Sequence, residues 1–261
     1  TPVYDAQRNV VAVYGGDRLG RLWKFDLSST STSNWKVATT GGLPLFVAIN
    51  SDDRRQAITA APRLTQHPAG GNFIVFGTGK LYDVADKTDT SVQSVYALWE
   101  KPGSNDQIAS DRAVPSMLRL TLSDVAPPSG TRFDRAVDGE ENINWSTHVG
   151  WYFDLATAAG VPGERLISSP SDVGGFVQFG TFAPVNNASP CEGNGSSYFY
   201  RLAVASNLSQ AFTAPRSAAV TRPRRPTPPG RSWSTGSRAA GSRCAPCRRP
   251  SRSSTACTST S

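Results

Sequence analysis

Val10-Val-Ala-Val-Tyr-Gly-Gly-Asp-Arg-Leu-Gly-Arg-Leu-Trp-Lys-Phe-Asp-Leu27 decides how the chain is read. Residues 10–14 are an apolar, β-branched run. Gly15-Gly16-Asp17 and Gly20 are expected to supply the positive-φ positions of a tight connection. Beyond them Leu22, Lys24 and Asp26 alternate with Trp23, Phe25 and Leu27, the period of two that marks a strand. Strand, Gly-Asp turn and aromatic strand closing on Phe-Asp together make a typical fragment of a β-propeller blade.

The same order recurs along the chain. A small residue followed by proline stands at Thr1-Pro2, Ala61-Pro62 and Ser169-Pro170. An apolar strand ending in an aromatic residue and glycine follows at Tyr14-Gly15, Phe76-Gly77 and Phe179-Gly180. An aromatic strand comes next, at residues 22–27, 95–99 and 198–202. Residues 115–122 read as a strand, 125–144 as loop, and 144–154 as a hairpin ending in Tyr-Phe-Asp. Spacing varies with loop length, as in degenerate four-stranded blades. No sustained amphipathic helix is visible. The expected fold is all-β: a partial β-propeller of about four blades over residues 1–210. A β-sandwich with glycine-rich turns is the competing architecture.

Composition agrees. Hydrophobic residues make up only 38% of the 261, beside 23 Gly and 19 Pro, which suits many short strands and turns. No apolar run approaches the length of a transmembrane helix. The chain opens at Thr1-Pro2-Val3-Tyr4 with neither initiator Met nor leader. It is therefore expected to be a fragment of a longer protein, which leaves export open. The net charge of +7 is unevenly placed: from Arg216 onward there are ten Arg and no acidic residue, leaving 17 basic (27 less ten) against 20 acidic residues before it. Residues 211–261 are Arg, Ser, Pro, Thr and Ala, with Trp233 and Val220 almost the only large apolar side chains. Such a tail is expected to be disordered. Arginine without lysine beside Pro, Ser and Ala also matches a GC-rich gene read out of frame. The competing reading is a native basic tail, which would bind nucleic acid with steep salt dependence.

Few residues suggest chemistry. His67 and His148 read as a turn and a strand histidine, without the cluster a triad or zinc site needs. Cys244-Ala-Pro-Cys247 has neither a βαβ context nor a second pair, and Cys257 adds none. Cys191 could pair with a cysteine elsewhere in a longer secreted chain. Asp83, Asp86 and Asp89 put oxygen ligands on one loop, yet their wide spacing and Lys87 favour a solvated loop over calcium. Asp138, Glu140 and Glu141 read as a solvated face. Gly15-Gly16 and Gly77-Thr78-Gly79 read as hairpin turns, since no helix follows to complete a phosphate site. No catalytic or cofactor-binding residue can be named.

Tyr14-Gly-Gly-Asp-Arg-Leu-Gly-Arg-Leu-Trp-Lys-Phe-Asp-Leu27 resembles the "AGDLxGNLWRFDL" segment of type IV pilus biogenesis and tip-adhesin proteins of the PilC/PilY type, in their C-terminal β-propeller. Further segments match in order. Pro44-Leu-Phe46 and Gln56-Ala-Ile-Thr-Ala-Ala-Pro62 are similar to "PLF…QPITAAP". Phe76-Gly-Thr-Gly-Lys-Leu-Tyr82 resembles "FGTGKYL", and Gln93-Ser-Val-Tyr-Ala-Leu-Trp99 resembles "QSLYGIWD". Gly150-Trp-Tyr-Phe-Asp-Leu155, Gly163-Glu-Arg165, Pro190-Cys191 and Gly195-Ser-Ser197 continue the series. The resemblance ends near residue 210, which favours the out-of-frame reading of the tail.

The resemblance implies a non-enzymatic, exported protein at the pilus tip, outer membrane or cell surface. Such a protein promotes pilus assembly, opposes retraction and supports adhesion and twitching. Its implied partners are minor pilins of the tip complex and a host or abiotic surface, with no nucleic acid. Family members also carry a calcium loop before the "AGD" strand. Here that stretch is Val3-Tyr-Asp-Ala-Gln-Arg-Asn-Val-Val11, and Asp5 is the only remnant of the ligand series, with Gln7 and Val11 at other ligand places. Too few hard oxygens remain there for a calcium cage. The alternative function is a quinoprotein-dehydrogenase-like propeller enzyme, whose blades repeat similar Gly-Asp and Trp-x-Phe-Asp elements.

Overall fold

The computed structural model describes residues 1–108, 112, 116–125, 134–138, 143–158, 160, 162–184 and 195–203, all within one compact unit, Thr1–Thr221. Blade 1 is an antiparallel sheet ordered β1 (Pro2–Tyr4), β2 (Val10–Gly16), β3 (Arg21–Asp26) and β4 (Lys36–Val37), with β5 (Phe46–Val47) also paired to β3. Blade 2 opens with β6 (Arg63–Gln66), β7 (Asn72–Gly77) and β8 (Ser94–Glu100). Next come β9 (Met117–Arg119) and a hairpin of β10 (Thr121–Val125) with β11 (Asp134–Asp138). β12 (Gly150–Asp154) returns to blade 2, giving the order β6-β7-β8-β12-β9. Blade 3 is β13 (Ser171–Val173), β14 (Phe176–Pro184) and β15 (Gly195–Ala203). No α-helix occurs among the described residues, and the fold is the expected all-β propeller architecture. Each proline pair leads into a blade's first strand, where a missing N–H and a fixed φ are tolerated.

The blades stack through two cores, and the sequence period sorts residues between them. Phe73 and Val75 of β7, with Val95, Ala97 and Trp99 of β8, face blade 3 and pack with Val177, Phe179, Tyr200 and Leu202. The alternate residues Ile74, Phe76, Tyr96 and Leu98 face blade 1 and pack with Tyr14, Leu22 and Phe46. All seven residues of β8 are therefore buried. A strand covered on both faces reads as a continuous apolar run instead of an alternating one. Phe46, Phe76 and Tyr96 meet with ring centroids 5.2–6.0 Å apart, and Tyr200 stacks on Phe179 at 5.1 Å.

Several local expectations are corrected. Gly15 and Gly16 lie inside β2, not in its turn, and of that group only Gly20 has a positive φ, at 74°. Gly16 is small because a Cβ there would run into Ile58, which enters from the next linker. Gly77 ends β7, and Gly79, with φ 130°, bridges in parallel to Ile58 where a Cβ would strike Arg165. Gly16, Gly77 and Gly79 serve close approach between segments and do not form a hairpin turn. The strand expected over 115–122 is split, because Leu120 donates its N–H to Tyr152 O at 2.8 Å before the chain diverges into β10. The loop expected over 125–144 contains β11. Residues 144–154 are not a hairpin: a turn at Asn144 leads into β12, which inserts antiparallel to β8 and parallel to β9. The tail expected over 211–261 lies outside the described residues.

Candidate functional site

The β2–β3 turn and the β7–β8 loop share one end of the blades, since Arg18 pairs with Asp83 at 3.5 Å. Asp17 organises the turn. Its Oδ1 accepts the N–H groups of Leu19 (2.8 Å) and Arg21 (3.1 Å), and its Oδ2 accepts Arg21 Nε (2.6 Å) and Trp23 Nε1 (2.9 Å). Burial pushes this carboxyl up, but the bonds from Trp23 and Arg21 outweigh it and hold the group below the usual carboxylate range.

The β7–β8 loop is held from within. Asp86 begins as an expected solvated residue and is instead buried. Its Oδ2 accepts the N–H groups of Tyr82 (2.9 Å) and Asp83 (3.0 Å), and Lys80 Nζ donates to its Oδ1. The Asp83 amide and the Lys80 ammonium hold its pKa down at about 2. Beneath the loop lies the buried guanidinium of Arg165. It donates to four backbone carbonyls: Gly163 (2.8 Å), Lys80 (2.8 Å), Asp86 (2.8 Å) and Asp89 (2.5 Å). A planar fork of five N–H donors suits a ring of carbonyls better than a lysine would. On this braced loop Tyr82 is 66% and Val84 82% exposed, with exposed Leu19 on the neighbouring turn. Apolar side chains displayed on a stiff loop at the end of a scaffold are what a protein-binding surface uses.

Two buried clasps fix the blades under that surface. Glu100 of β8 accepts from Tyr14 Oη of blade 1, and Glu164, just before Arg165, accepts from Tyr200 Oη of blade 3. Burial and the facing carboxylates push both tyrosine hydroxyls far up, so each is a donor at any ordinary pH. Gln56, the first residue of the 56–62 motif, is buried; its amide donates to Val92 O (2.9 Å) and Ser94 Oγ (2.8 Å), and its Oε1 accepts from Tyr96 Oη (2.7 Å). A groove of about 570 Å³ separates the first strands of blades 1 and 2, lined by Pro2, Val3, Leu64, Gln66 and their neighbours.

The residues singled out in the sequence do not converge. Asp5 sits in the β1–β2 turn, at the opposite end of β2 from Asp17. Both its oxygens are engaged by Asn9, through the backbone N–H (2.8 Å) and Nδ2 (3.1 Å), and these bonds lower its pKa. No cluster of three or more His, Cys, Asp or Glu able to hold a metal exists among the described residues. The turn around Asp5 does not fit a calcium ion, which needs six or more oxygens. Asp83 pairs with Arg18, Asp86 with Lys80, and Asp89 accepts the Ser91 N–H (2.9 Å), so the three do not form one oxygen cage.

His67 is buried between Phe73, Trp99 and Trp145, its ring 4.2 Å from that of Trp99. Its Nδ1 accepts from Ala69 N at 3.0 Å, and burial lowers its pKa. His148 Nδ1 accepts from Asn144 N at 2.8 Å in the turn that carries Trp145. Cys191, Cys244, Cys247, Cys257, Glu140 and Glu141 lie outside the described residues, as does the side chain of Asp138. The sequence reading missed Arg165, Arg135, Glu164 and Glu100. For Glu100 the available signal was a charge closing the apolar run of β8, and for Glu164 and Arg165 it was the Gly163-Glu-Arg165 motif; Arg135, in Asp-Arg-Ala-Val-Asp, carried no such signal.

Comparison with known proteins agrees with this architecture. The family profile described as the PilY1 beta-propeller domain matches residues 4–123. A type IV pilus biogenesis factor PilY1 homolog of Xylella fastidiosa is 33% identical over 207 residues, covering 77% of this chain and 14% of the relative. The type IV pilus biogenesis factor PilY1 of Pseudomonas aeruginosa is 31% identical over 217 residues, covering 72% of this chain and 18% of the relative. The chain thus spans less than a fifth of those relatives' length. The crystal structure of the P. aeruginosa PilY1 C-terminal domain superimposes with a TM-score of 0.60 at 28% identity, covering 77% of this chain and 46% of that one. Blade order, the motifs along residues 4–123 and these matches place the chain in the PilY1-type family of type IV pilus proteins.

Proposed function

We propose that the protein acts in type IV pilus biogenesis as a non-enzymatic binding scaffold. Residues 1–210 supply a propeller segment, and residues 211–261 lie outside its design. The reading is supported chiefly by the braced loop carrying Tyr82 and Val84, beside Leu19, in a chain whose relatives are named pilus biogenesis factors. This loop end contacts a pilus component, with minor pilins as the partner class. The protein is exported to the pilus tip, outer membrane or cell surface, where it promotes assembly, opposes retraction and contributes to attachment and twitching. No helix among the described residues is long and apolar enough to cross a membrane. An exported scaffold held at the surface by protein contacts accords with that.

The test is complementation of a strain lacking its own copy, using the parent protein with Tyr82→Asp and Val84→Asp. Both positions are exposed, so folding is expected to survive. Surface pili and twitching are expected with the unmodified protein and a marked loss of both with the double variant, at equal protein level. Failure of the unmodified protein to restore pili would overturn the reading; full activity of the double variant would move the contact elsewhere.

A further inference from the structure

Tyr14 pairs with Lys24 across β2 and β3, and Asn72 pairs with Glu100 across β7 and β8. Residues directly opposite each other put their side chains on one face of a sheet. At the boundary of blades 1 and 2 these two pairs meet. Lys24 Nζ donates to Glu100 Oε1 at 2.7 Å, and Asn72 Nδ2 donates to Oε2 at 3.0 Å. Tyr14 Oη donates to the same Oε2 at 2.6 Å, and Asn72 Nδ2 lies 3.4 Å from that hydroxyl. A primary amine and a carboxamide are thus held on the two oxygens of one carboxylate. Little water reaches them: the Glu100 side chain is 6% exposed, and Tyr14 is buried.

We propose that Lys24 and Asn72 join in a covalent amide bond, with Glu100 as the acid and base of its formation. Lys24 Nζ passes a proton to Glu100 Oε1, which turns a buried ion pair into two neutral groups and lowers the cost of their burial. The freed amine attacks Asn72 Cγ and forms the new C–N bond. Both reactants are fixed by the same carboxyl group, so the encounter is already made. The carboxyl then protonates Nδ2, the atom already hydrogen-bonded to Oε2, and the Cγ–Nδ2 bond breaks. A second proton from the attacking nitrogen leaves with the released ammonia as ammonium. A secondary amide remains between the two side chains, and Glu100 is a carboxylate again. The step consumes no oxidant and no cofactor. Asn72 lines the groove between the first strands of blades 1 and 2, which gives the ammonium a way out.

The other clasp cannot react in this way. Its cation is Arg135, whose guanidinium keeps its proton, and its third donor is the Thr181 hydroxyl. One link per chain is therefore expected. It closes residues 24–72 into a covalent loop and ties β3 of blade 1 to β7 of blade 2. The ion pair of the unlinked chain is a separate and weaker tie.

The test is the intact mass of the folded 261-residue chain, followed by tandem mass spectrometry of its tryptic digest. The expected mass is that of the sequence less one ammonia. The digest is expected to contain one branched peptide in which Lys24 and Asn72 are joined. Lys24→Arg keeps the charge but cannot form the bond, so its mass is expected to equal that of its sequence. Glu100→Gln keeps the shape but relays no proton, and is expected to stay unlinked with an unchanged circular dichroism spectrum. If Glu100→Gln does not fold, the parent chain and Lys24→Arg still decide whether the bond forms. The full sequence mass in the folded parent chain overturns the inference. So does ammonia lost without a branched peptide, which is cyclisation of Asn72 onto its own backbone. A folded Glu100→Gln chain that still links overturns the role given to Glu100.

Discussion

Between blades 1 and 2, Glu100 accepts from Tyr14 Oη at 2.6 Å, Lys24 Nζ at 2.7 Å and Asn72 Nδ2 at 3.0 Å. Between blades 2 and 3, Glu164 accepts from Tyr200 Oη at 2.9 Å, Thr181 Oγ1 at 2.5 Å and the guanidinium of Arg135. Each boundary buries one carboxylate, gives it a tyrosine hydroxyl and neutralises it with one cation. The cations differ in setting: the Lys24 side chain is 21% exposed, the Arg135 side chain 1%. Arg135 also lies 3.6 Å from the Tyr198 ring centroid and pairs with Asp124 at 3.3 Å. Water can share the charge at the first clasp but not at the second. The two boundaries therefore use the same chemistry with unequal consequences for losing the cation.

That inequality can be measured. The largest effect is expected for Arg135→Met, which strands Glu164 in the interior at a loss of about 3–5 kcal/mol. Melting should fall by roughly 10 °C or more in a thermal scan. Adding Glu164→Leu should recover much of it, since a buried pair replaced by apolar side chains is often nearly neutral. A double variant as unstable as the single would mean that packing, not the stranded charge, sets the loss.

Arg165→Met comes next. It leaves four carbonyls without their donor, and each charged bond is worth about 1.5–3 kcal/mol before solvent replaces it. The β7–β8 loop should then be cut faster in limited proteolysis within residues 80–91, while β8 stays protected. Lys24→Met should cost less, about 1 kcal/mol, because Tyr14 and Asn72 still hold Glu100 beside solvent. A loss as large as that of Arg135→Met would erase the contrast between the two boundaries.

The smallest effects are expected from pH. The depressed pKa of Asp86 contributes stability that is complete above its ordinary value near 4 and lost as pH falls through about 2. His67 is also depressed, so the unfolded chain takes up its proton first. Stability should be complete above about 6.5 and decline as pH drops below it. His67→Phe should flatten that upper part of the curve and leave the acid limb, where Asp86 titrates, unchanged.

Much of the fold was legible because repeating units repeat their local chemistry. The proline pairs opened blades as expected, and residues 22–27, 95–99 and 198–202 supplied each blade's third strand. The long apolar run of β8 was readable as a strand, though not as one shared between two cores. What escaped was set by partners far along the chain. β11 is Asp-Arg-Ala-Val-Asp, whose charges read as loop until Arg135 meets Glu164. The mistaken hairpin at 144–154 has the same cause: nothing local says that β12 enters between β8 and β9. Asp86 looked solvated because its partners are backbone amides and a lysine that only the folded loop aims at it. The glycines at 16 and 77 looked like turns because composition cannot separate a need for positive φ from a need for no side chain.

The strand order of blade 2 also sets a timetable for folding. Among the described residues β9 pairs only with β12, and β12 follows it in the chain by some thirty residues. Until β12 arrives, β8 presents an open edge and β9 has nothing to join. A chain emerging end-first would hold an unfinished sheet while the β10–β11 hairpin forms beside it. Pairing across such a gap is slow, and an open apolar edge invites the wrong partner. Refolding of blade 2 should therefore lag that of blade 1.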